Sequence, residues 1–373
     1  MNFLKRTWAE IDISALLNNY EIVKKMANGK KIIAVVKADA YGHGEKSVAL
    51  ALEKAGVECF AVSNLEEAVS LRNYGIKGEI IILGYTPPEM AKDISKYDIM
   101  QCLFSTEYAT ALSENAVKDG VCVKVHLKLD TGMGRIGFDC RSDELCGVNA
   151  AIEAARLPGF SCVGVFTHFA VADRTPKTED GFTKQQYDRF VNAVEKLENS
   201  GISFDYIHCF NSAAIINDID NKCNYCRAGI IMYGLTPDIS MPVNENIVPV
   251  MTLKSVISMV KDIRVGESVN YGRTFIAEKP TRVATVTIGY ADGYPRILSG
   301  RGYVFVNGKR ANIIGRVCMD QLAIDVTDID VKMGDNVELF GKNLSVDELA
   351  QTAQTIGYEL ICSVAPRVPR IEI

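Results

Sequence analysis

The 373 residues exceed the usual span of one domain, so the prior is a large unit followed by a smaller one. Apolar residues make up 48% and charged residues 23%, and the net charge of −5 comes with no basic stretch, which argues against a nucleic-acid or anionic-membrane surface and suits a soluble globular enzyme. No apolar run is long enough to span a bilayer, and the start of the chain is too weakly apolar for a signal peptide.

Eight short apolar, β-rich runs recur through the first two-thirds: residues 32–37, 58–63, 79–83, 99–104, 121–129, 162–168, 205–208 and 229–233. Between them, stretches such as 14–26, 66–74, 106–118, 142–155 and 183–200 carry apolar residues at helical spacing, and Gly75, Gly120, Gly159 and Gly201 mark the returns from helix to strand. This rhythm predicts an α/β fold, an N-terminal (β/α)8 TIM-like barrel. A doubly wound open sheet is the runner-up, weakened by the lack of Gly-x-Gly-x-x-Gly after the first strand. After Pro237 the pattern turns to β-runs at 250–260, 282–288, 304–306, 311–314, 322–326 and 336–339, with Asn307-Gly308 as a turn signal. Only 345–355 reads as helical there, with Ser345 as N-cap and Glu348 three residues on. The predicted organisation is a barrel over 1–242 and a mostly antiparallel β C-terminal domain over 243–373.

The 11 cysteines, an odd number lying largely in apolar runs, suit reduced buried thiols in a cytosolic protein. Cys223 and Cys226 form a CxxC, but no second CxxC or nearby histidine pair accompanies it, and no metal is expected.

Lys37 ends the first apolar run and is followed by Ala-Asp-Ala-Tyr-Gly-His-Gly. A lysine carried from a dry strand into a cleft loses solvation, which disfavours its ammonium form and frees amine for imine chemistry. Chemical groups gather at the carboxyl ends of barrel strands. Lys128, Asp130 and Arg135 follow the fifth run, His168 ends the sixth, Asn211 and Ser212 follow the seventh, and Arg227 leads into the eighth, which puts it ahead of its strand rather than at the carboxyl end. Each alone also reads as a surface arginine, a satisfied core histidine or an N-capping serine. Together they suit a phosphorylated aldehyde cofactor and a carboxylate substrate: the lysine for the imine, a serine hydroxyl, a tyrosine and the amides at Gly229 and Ile230 for phosphate, an arginine for the carboxylate.

The chain resembles the alanine racemase family. The resemblance rests on Thr7-Trp8-Ala9-Glu10-Ile11-Asp12, the Lys37 segment, 130–137, 167–169, Asn211-Ser212-Ala213-Ala214, 227–235, Asn270-Tyr271-Gly272, 288–293, 315–320 and Arg367-Val368-Pro369-Arg370. It implies pyridoxal 5′-phosphate held covalently by Lys37, which also acts as one base, with Tyr271 of a partner subunit as the other. Tyr41, Ser212, Gly229 and Ile230 would cradle the phosphate, Arg227 would face the pyridine nitrogen, and His168 would stack on the ring. Arg135 would hold the phenolic oxygen and lie near the substrate carboxylate, with the partner's Met319 offering its amide. Lys128, carbamylated in many members, would brace Arg135, and Asn211, Tyr290 and Asp320 would support the site. The implied protein is a cytoplasmic homodimer with shared active sites, interconverting L- and D-alanine for peptidoglycan. Inverting a Cα centre needs bases on opposite faces, and an arginine opposite the ring nitrogen cannot accept its proton, which favours racemisation over transamination.

Many members carry a tyrosine where this chain has Pro366. Its loss leaves serine or mixed serine/alanine racemisation as the alternative, some such enzymes being cytosolic domains of larger membrane proteins. A non-catalytic cofactor-binding regulator resembles the barrel alone and lacks the Tyr271 and Met319 segments.

Overall fold

The computed structural model describes residues 4–174, 181–217, 222–241 and 246–373. The expected boundary between 242 and 243 lies outside them.

Strand β1 (Thr7–Ile11) comes first and does not join the barrel. Among the described residues, eight parallel strands make the barrel: β2 (Lys31–Val35), β3 (Cys59–Val62), β4 (Glu79–Ile82), β5 (Ile99–Leu103), β6 (Val123–Asp130), β7 (Phe160–Phe166), β8 (Tyr206–His208) and β9 (Tyr225–Ala228), with a two-residue strand, Phe138–Asp139, paired beside β6. Each pairs with the next, and β9 returns to β2, so the sheet closes. Closure with helices outside buries both faces, which is why most of these strands read as largely apolar runs. The two faces are still distinct at period two. Ile33 and Val35 join Ala61, Ile81, Cys102 and Phe166 in the barrel's interior, while Ile32, Ala34 and Val36 pack outward against helices. The helices start where the sequence supplies caps: Asp12 accepts the Ala15 N–H ahead of Ile13–Met26, Asn64 that of Glu67 ahead of Leu65–Asn73, and Ser105 that of Tyr108 ahead of Thr106–Asp119.

The eighth strand differs from expectation. Residues 229–233 form a one-turn 3-10 helix (Ile230–Tyr233), and the strand is the four residues before it. Arg227 therefore sits inside β9 rather than ahead of it.

The second unit is built on β10 (Met251–Ile263). With β11 (Thr281–Val286), β12 (Tyr303–Val306), β13 (Lys309–Ile314), β14 (Leu322–Asp325) and β15 (Asn336–Phe340) it forms a closed antiparallel circuit, joined through β10–β11, β11–β14, β14–β13, β13–β12, β12–β15 and β15–β10. Asn307 and Gly308, at φ 46° and 79°, make the β12–β13 hairpin. β1 pairs antiparallel with β10 and parallel with β16 (Arg370–Glu372), so both ends of the chain lie in this sheet, and the expected 1–242 unit contains a strand that belongs to the other. Ser345 caps Val346–Thr352 as expected, but Glu348 pairs with Arg310 instead of reaching back, and a second helix, Gly357–Cys362, was not anticipated.

Candidate active site

Lys37 lies one residue past Val36 and begins a left-handed turn. Ala38, Asp39, Ala40 and Tyr41 have φ of 54°, 53°, 53° and 54°. Each L-residue so placed costs on the order of 1–2 kcal/mol, so neighbouring groups have to hold the turn. Glu67 accepts the Ala38 N–H at 2.8 Å and the Ser63 N–H at 2.7 Å, and Asp39 Oδ1 accepts the Glu45 N–H at 2.8 Å. Gly42 ends it at φ 79°, where a Cβ would collide with the Ile361 carbonyl oxygen. The Lys37 side chain is left half-buried, and burial together with the Arg135 charge lowers its pKa.

The turn aims Tyr41 across the mouth of the barrel. A Cβ on Gly229 would stand 2.7 Å from Tyr41 Oη and 3.8 Å from Ser212 Oγ, so the glycine keeps a space open between two hydroxyls. Ser212 Oγ already accepts the Gly229 N–H at 3.1 Å, which leaves its own proton to give. Asn211 caps Ser212–Ile216 by accepting the Ala214 N–H at 3.0 Å, so the capping residue is the asparagine and the serine hydroxyl is spared.

Arg227 is buried at the end of β9. Its terminal nitrogens donate to His208 Nδ1 at 2.7 Å, His208 O at 3.1 Å, Thr167 O at 2.8 Å, His168 Nδ1 at 3.0 Å and Cys209 O at 3.2 Å. Its Nε makes no hydrogen bond among the described residues. Burial lowers its pKa to about 10, still well above neutrality. Burial, then the charges of Arg227, Lys128, Arg135 and Lys37, push His168 far down, which puts these five groups at one mouth.

Lys128 points inward from β6. Its Nζ makes no hydrogen bond among the described residues and lies 4.9 Å from the Phe166 ring centroid. Burial, then Arg227 and Arg135, lower its pKa to about 7. Two residues on, Asp130 accepts the N–H groups of Gly132 at 3.1 Å and Gly134 at 3.0 Å, fixing the loop that carries Arg135 out to the surface.

Tyr271, Tyr290, Met319 and Asp320 do not join this group within one chain. Tyr271 is 74% exposed and Met319 53%. Their loops are nonetheless held: Asn270 Nδ2 donates to Arg316 O at 2.8 Å, and Tyr290 and Ala291 donate their N–H groups to Cys318 O and Met319 O, each at 3.0 Å. Beneath them the fully buried Asp292 takes two-point donation from Arg6 at 2.8 and 3.0 Å and Arg367 Nε at 2.8 Å, while Arg367 Nη2 reaches Asp320 at 2.7 Å. The sequence reading missed Glu67, His208 and Asp292, whose roles depend on partners far away in the chain. The CxxC does not converge either: Cys223 Sγ lies 3.2 Å from Cys209 Sγ, whereas Cys226 Sγ faces Lys31 O at 3.7 Å. A cavity of about 350 Å³ between the two units, lined by Met251, Phe340 and Val346 among others, contains none of these groups. Among the described residues no helix is long and apolar enough to cross a membrane.

The chain matches the family model described as alanine racemase, N-terminal domain, over residues 11–237, and that described as alanine racemase, C-terminal domain, over residues 250–372. An alanine racemase of Clostridium perfringens (strain SM101 / Type A) is 42% identical over 374 residues, 99% of this chain and 95% of that protein. One from Desulforamulus reducens is 41% identical over 370 residues, 98% of each. The solved alanine racemase of Clostridium difficile 630 matches with a TM-score of 0.92 at 37% identity, covering 100% of this chain and 97% of that one. That of Bacillus anthracis with bound L-Ala-P matches with a TM-score of 0.91 at 35% identity, covering 100% and 96%.

Proposed function

The chain belongs to the alanine racemase family, and from that footing we propose that it interconverts L- and D-alanine with pyridoxal 5′-phosphate, in sites that two copies of the chain complete for each other. The observation that carries this reading is the space kept open by Gly229 between the Tyr41 and Ser212 hydroxyls, with a lysine of lowered pKa and an arginine with a spare Nε–H at the same mouth. The residues fit the cofactor: Tyr41, Ser212, Gly229 and Ile230 for its phosphate, Lys37 for its aldehyde, Arg227 for its ring nitrogen, His168 against its ring and Arg135 for its phenolic oxygen.

Bound pyridoxal phosphate supplies the electron-withdrawing ring that makes an amino acid's α-proton removable. Lys37 would hold the cofactor's aldehyde and, as an amine of lowered pKa, would serve as the base on one face of the substrate's Cα. Tyr271 of the partner subunit offers its hydroxyl on the other. Starting from one enantiomer, the amine takes the α-proton and the tyrosine delivers its own to the opposite face; from the other enantiomer the roles reverse, and no net proton is gained or lost. Arg227 would donate to the ring nitrogen; an arginine cannot accept a proton there, so it would favour an unprotonated nitrogen and disfavour transamination. Arg135 and the amide of the partner's Met319 hold the carboxylate.

Lys128 supports Arg135 best as a carbamate: its free amine adds to carbon dioxide, loses one proton and presents a carboxylate to the guanidinium. Its pKa of about 7 and its buried, unbonded Nζ favour that reaction at neutral pH. The exposure of Tyr271, Met319 and, at 42%, Tyr290 supports a homodimer in which a second copy covers them. The product D-alanine would serve peptidoglycan synthesis in the cytoplasm.

Circular dichroism of L-alanine incubated with the pure holoprotein tests the reading, and a signal that does not decay ends it. Borohydride treatment should tag the peptide containing Lys37. Tyr271→Phe should lower turnover by about 10²–10⁴ and act unequally on the two enantiomers; an equal, mild loss on both would refute the two-base assignment.

A further inference from the structure

One string of polar side chains crosses the apolar interior of the barrel beyond the groups used above. Arg227 Nη1 lies 2.7 Å from His208 Nδ1, His208 Nε2 lies 3.1 Å from His126 Nδ1, and His126 Nε2 lies 3.2 Å from Met100 Sδ. The four residues come from β9, β8, β6 and β5, and both imidazoles are fully buried. Gly164 on β7 makes the room, because a Cβ there would fall on the His126 ring while its backbone is not left-handed.

The protons can be assigned by elimination. Arginine only donates, so His208 Nδ1 accepts. A neutral imidazole carries one N–H, and burial and the Arg227 charge keep both rings neutral. His208 therefore carries its proton on Nε2 and gives it to His126 Nδ1, and His126 carries its own on Nε2 and gives it to the thioether. Every bond points away from Arg227. On the other arm, Arg227 Nη2 donates to His168 Nδ1, which leaves the His168 proton on Nε2. His43 is the opposite case: its Nδ1 faces the carbonyls of Ala40 at 3.1 Å and Tyr41 at 3.0 Å, so its proton is on Nδ1.

We propose that His126 and Met100 are positioning residues for the reaction, completing with His208 an uncharged strut that aims the Arg227 guanidinium at the barrel mouth. No carboxylate bonds Arg227 among the described residues, and the strut does that orienting work without cancelling the positive charge. The proposal rests on Arg227 facing the cofactor's ring nitrogen.

The test uses the holoprotein labelled with ¹⁵N-histidine and long-range ¹H–¹⁵N correlation, with signals assigned by single substitutions. His126, His168 and His208 should be protonated on Nε2 alone and His43 on Nδ1 alone across the neutral range. His126→Phe keeps a ring but removes the acceptor. It should lower kcat roughly ten- to a hundredfold with KM for alanine within about twofold, as misaimed groups do. His126→Asn, whose side-chain oxygen can accept from His208, should recover part of that loss. Met100→Leu keeps volume and removes the sulfur; it should shift the His126 Nε2–H signal and lower kcat less. A His208 protonated on Nδ1, a charged ring at position 126 or 208 near neutral pH, or full kcat in a folded His126→Phe would overturn the proposal. Should His126→Phe not fold, the wild-type spectrum and Met100→Leu decide. Absence of racemisation by the wild type would end the functional reading while the proton pattern could still be read, so the two failures are distinct.

Discussion

Arg370 Nε donates to the carbonyl oxygen of Gly42 at 2.9 Å, so the last strand of the chain grips the left-handed turn that follows Lys37. The same guanidinium donates to the carbonyls of Val364, Ala365 and Val368 at 2.6–2.7 Å and thus ties its own segment to that turn. Arg370→Met removes all four donations and leaves partly buried carbonyls without partners. It should cost about 2–3 kcal/mol, by the scale of charge-assisted bonds, read as the shift in the urea midpoint. Cofactor should also be lost faster on dialysis, because the strained turn carries both Lys37 and Tyr41. A wild-type midpoint with wild-type retention would show that the turn holds itself.

Gly229 has φ −118° and ψ −108°, outside the left-handed region but also outside the common α and β regions, so replacing it tests the space beside it together with the backbone angles. Gly229→Ala should weaken pyridoxal phosphate binding by about tenfold or more, since roughly 1.4 kcal/mol of misfit suffices for that factor. Tyr41→Phe on top of it removes the atom the new methyl meets and should recover part of the loss. Titration of the cofactor by absorbance measures both, and strict additivity of the two losses would contradict a shared cradle.

Lys128 should respond to carbon dioxide with a pH-dependent sign. With its pKa lowered to about 7, the free amine becomes scarce as the solution falls below that value. In carbon dioxide-free buffer activity should fall, bicarbonate should restore it above about pH 7, and Lys128→Ala should abolish the response. Labelled ¹³C-bicarbonate should give a carbamate signal in the wild type only. Without carbamate, the folded pKa lies below the unfolded value of about 10.4, so the full stability penalty applies below about pH 7 and fades as pH rises toward 10.

If two copies share their sites, inactive variants should complement each other. Mixing Lys37→Ala with Tyr271→Phe and allowing exchange makes half the dimers mixed, each with one complete site, so about a quarter of wild-type activity should return. Proven subunit exchange with no recovery would place Tyr271 outside the partner's site.

The barrel was readable because its strands are buried on both faces and its helices are spaced by capping residues and glycines. The eighth strand was misplaced for a physical reason. Tyr225-Cys226-Arg227-Ala228 carries its charge inward, which breaks the apolar signature, while Ile230-Ile231-Met232-Tyr233 is wholly buried as a turn of 3-10 helix. The left-handed turn at 38–41 has no glycine to announce it, since its conformation is imposed by Glu67, Asp39 and Arg370. His126 and His208 stand 82 residues apart and meet only once the barrel has closed. Tyr358 approaches Tyr41, with ring centroids 6.2 Å apart, from a helix the sequence did not reveal.

Thr7–Ile11 lies between β10 and β16, whose residues are made roughly 240 and 360 positions later. During synthesis this segment emerges ahead of both strands that flank it. The barrel can close while the strand waits unpaired, and its pairing with β16 forms only once Arg370–Glu372 has emerged. A nascent chain arrested before Arg370 would therefore carry a finished barrel and an open sheet edge, the kind of edge that invites pairing with another chain.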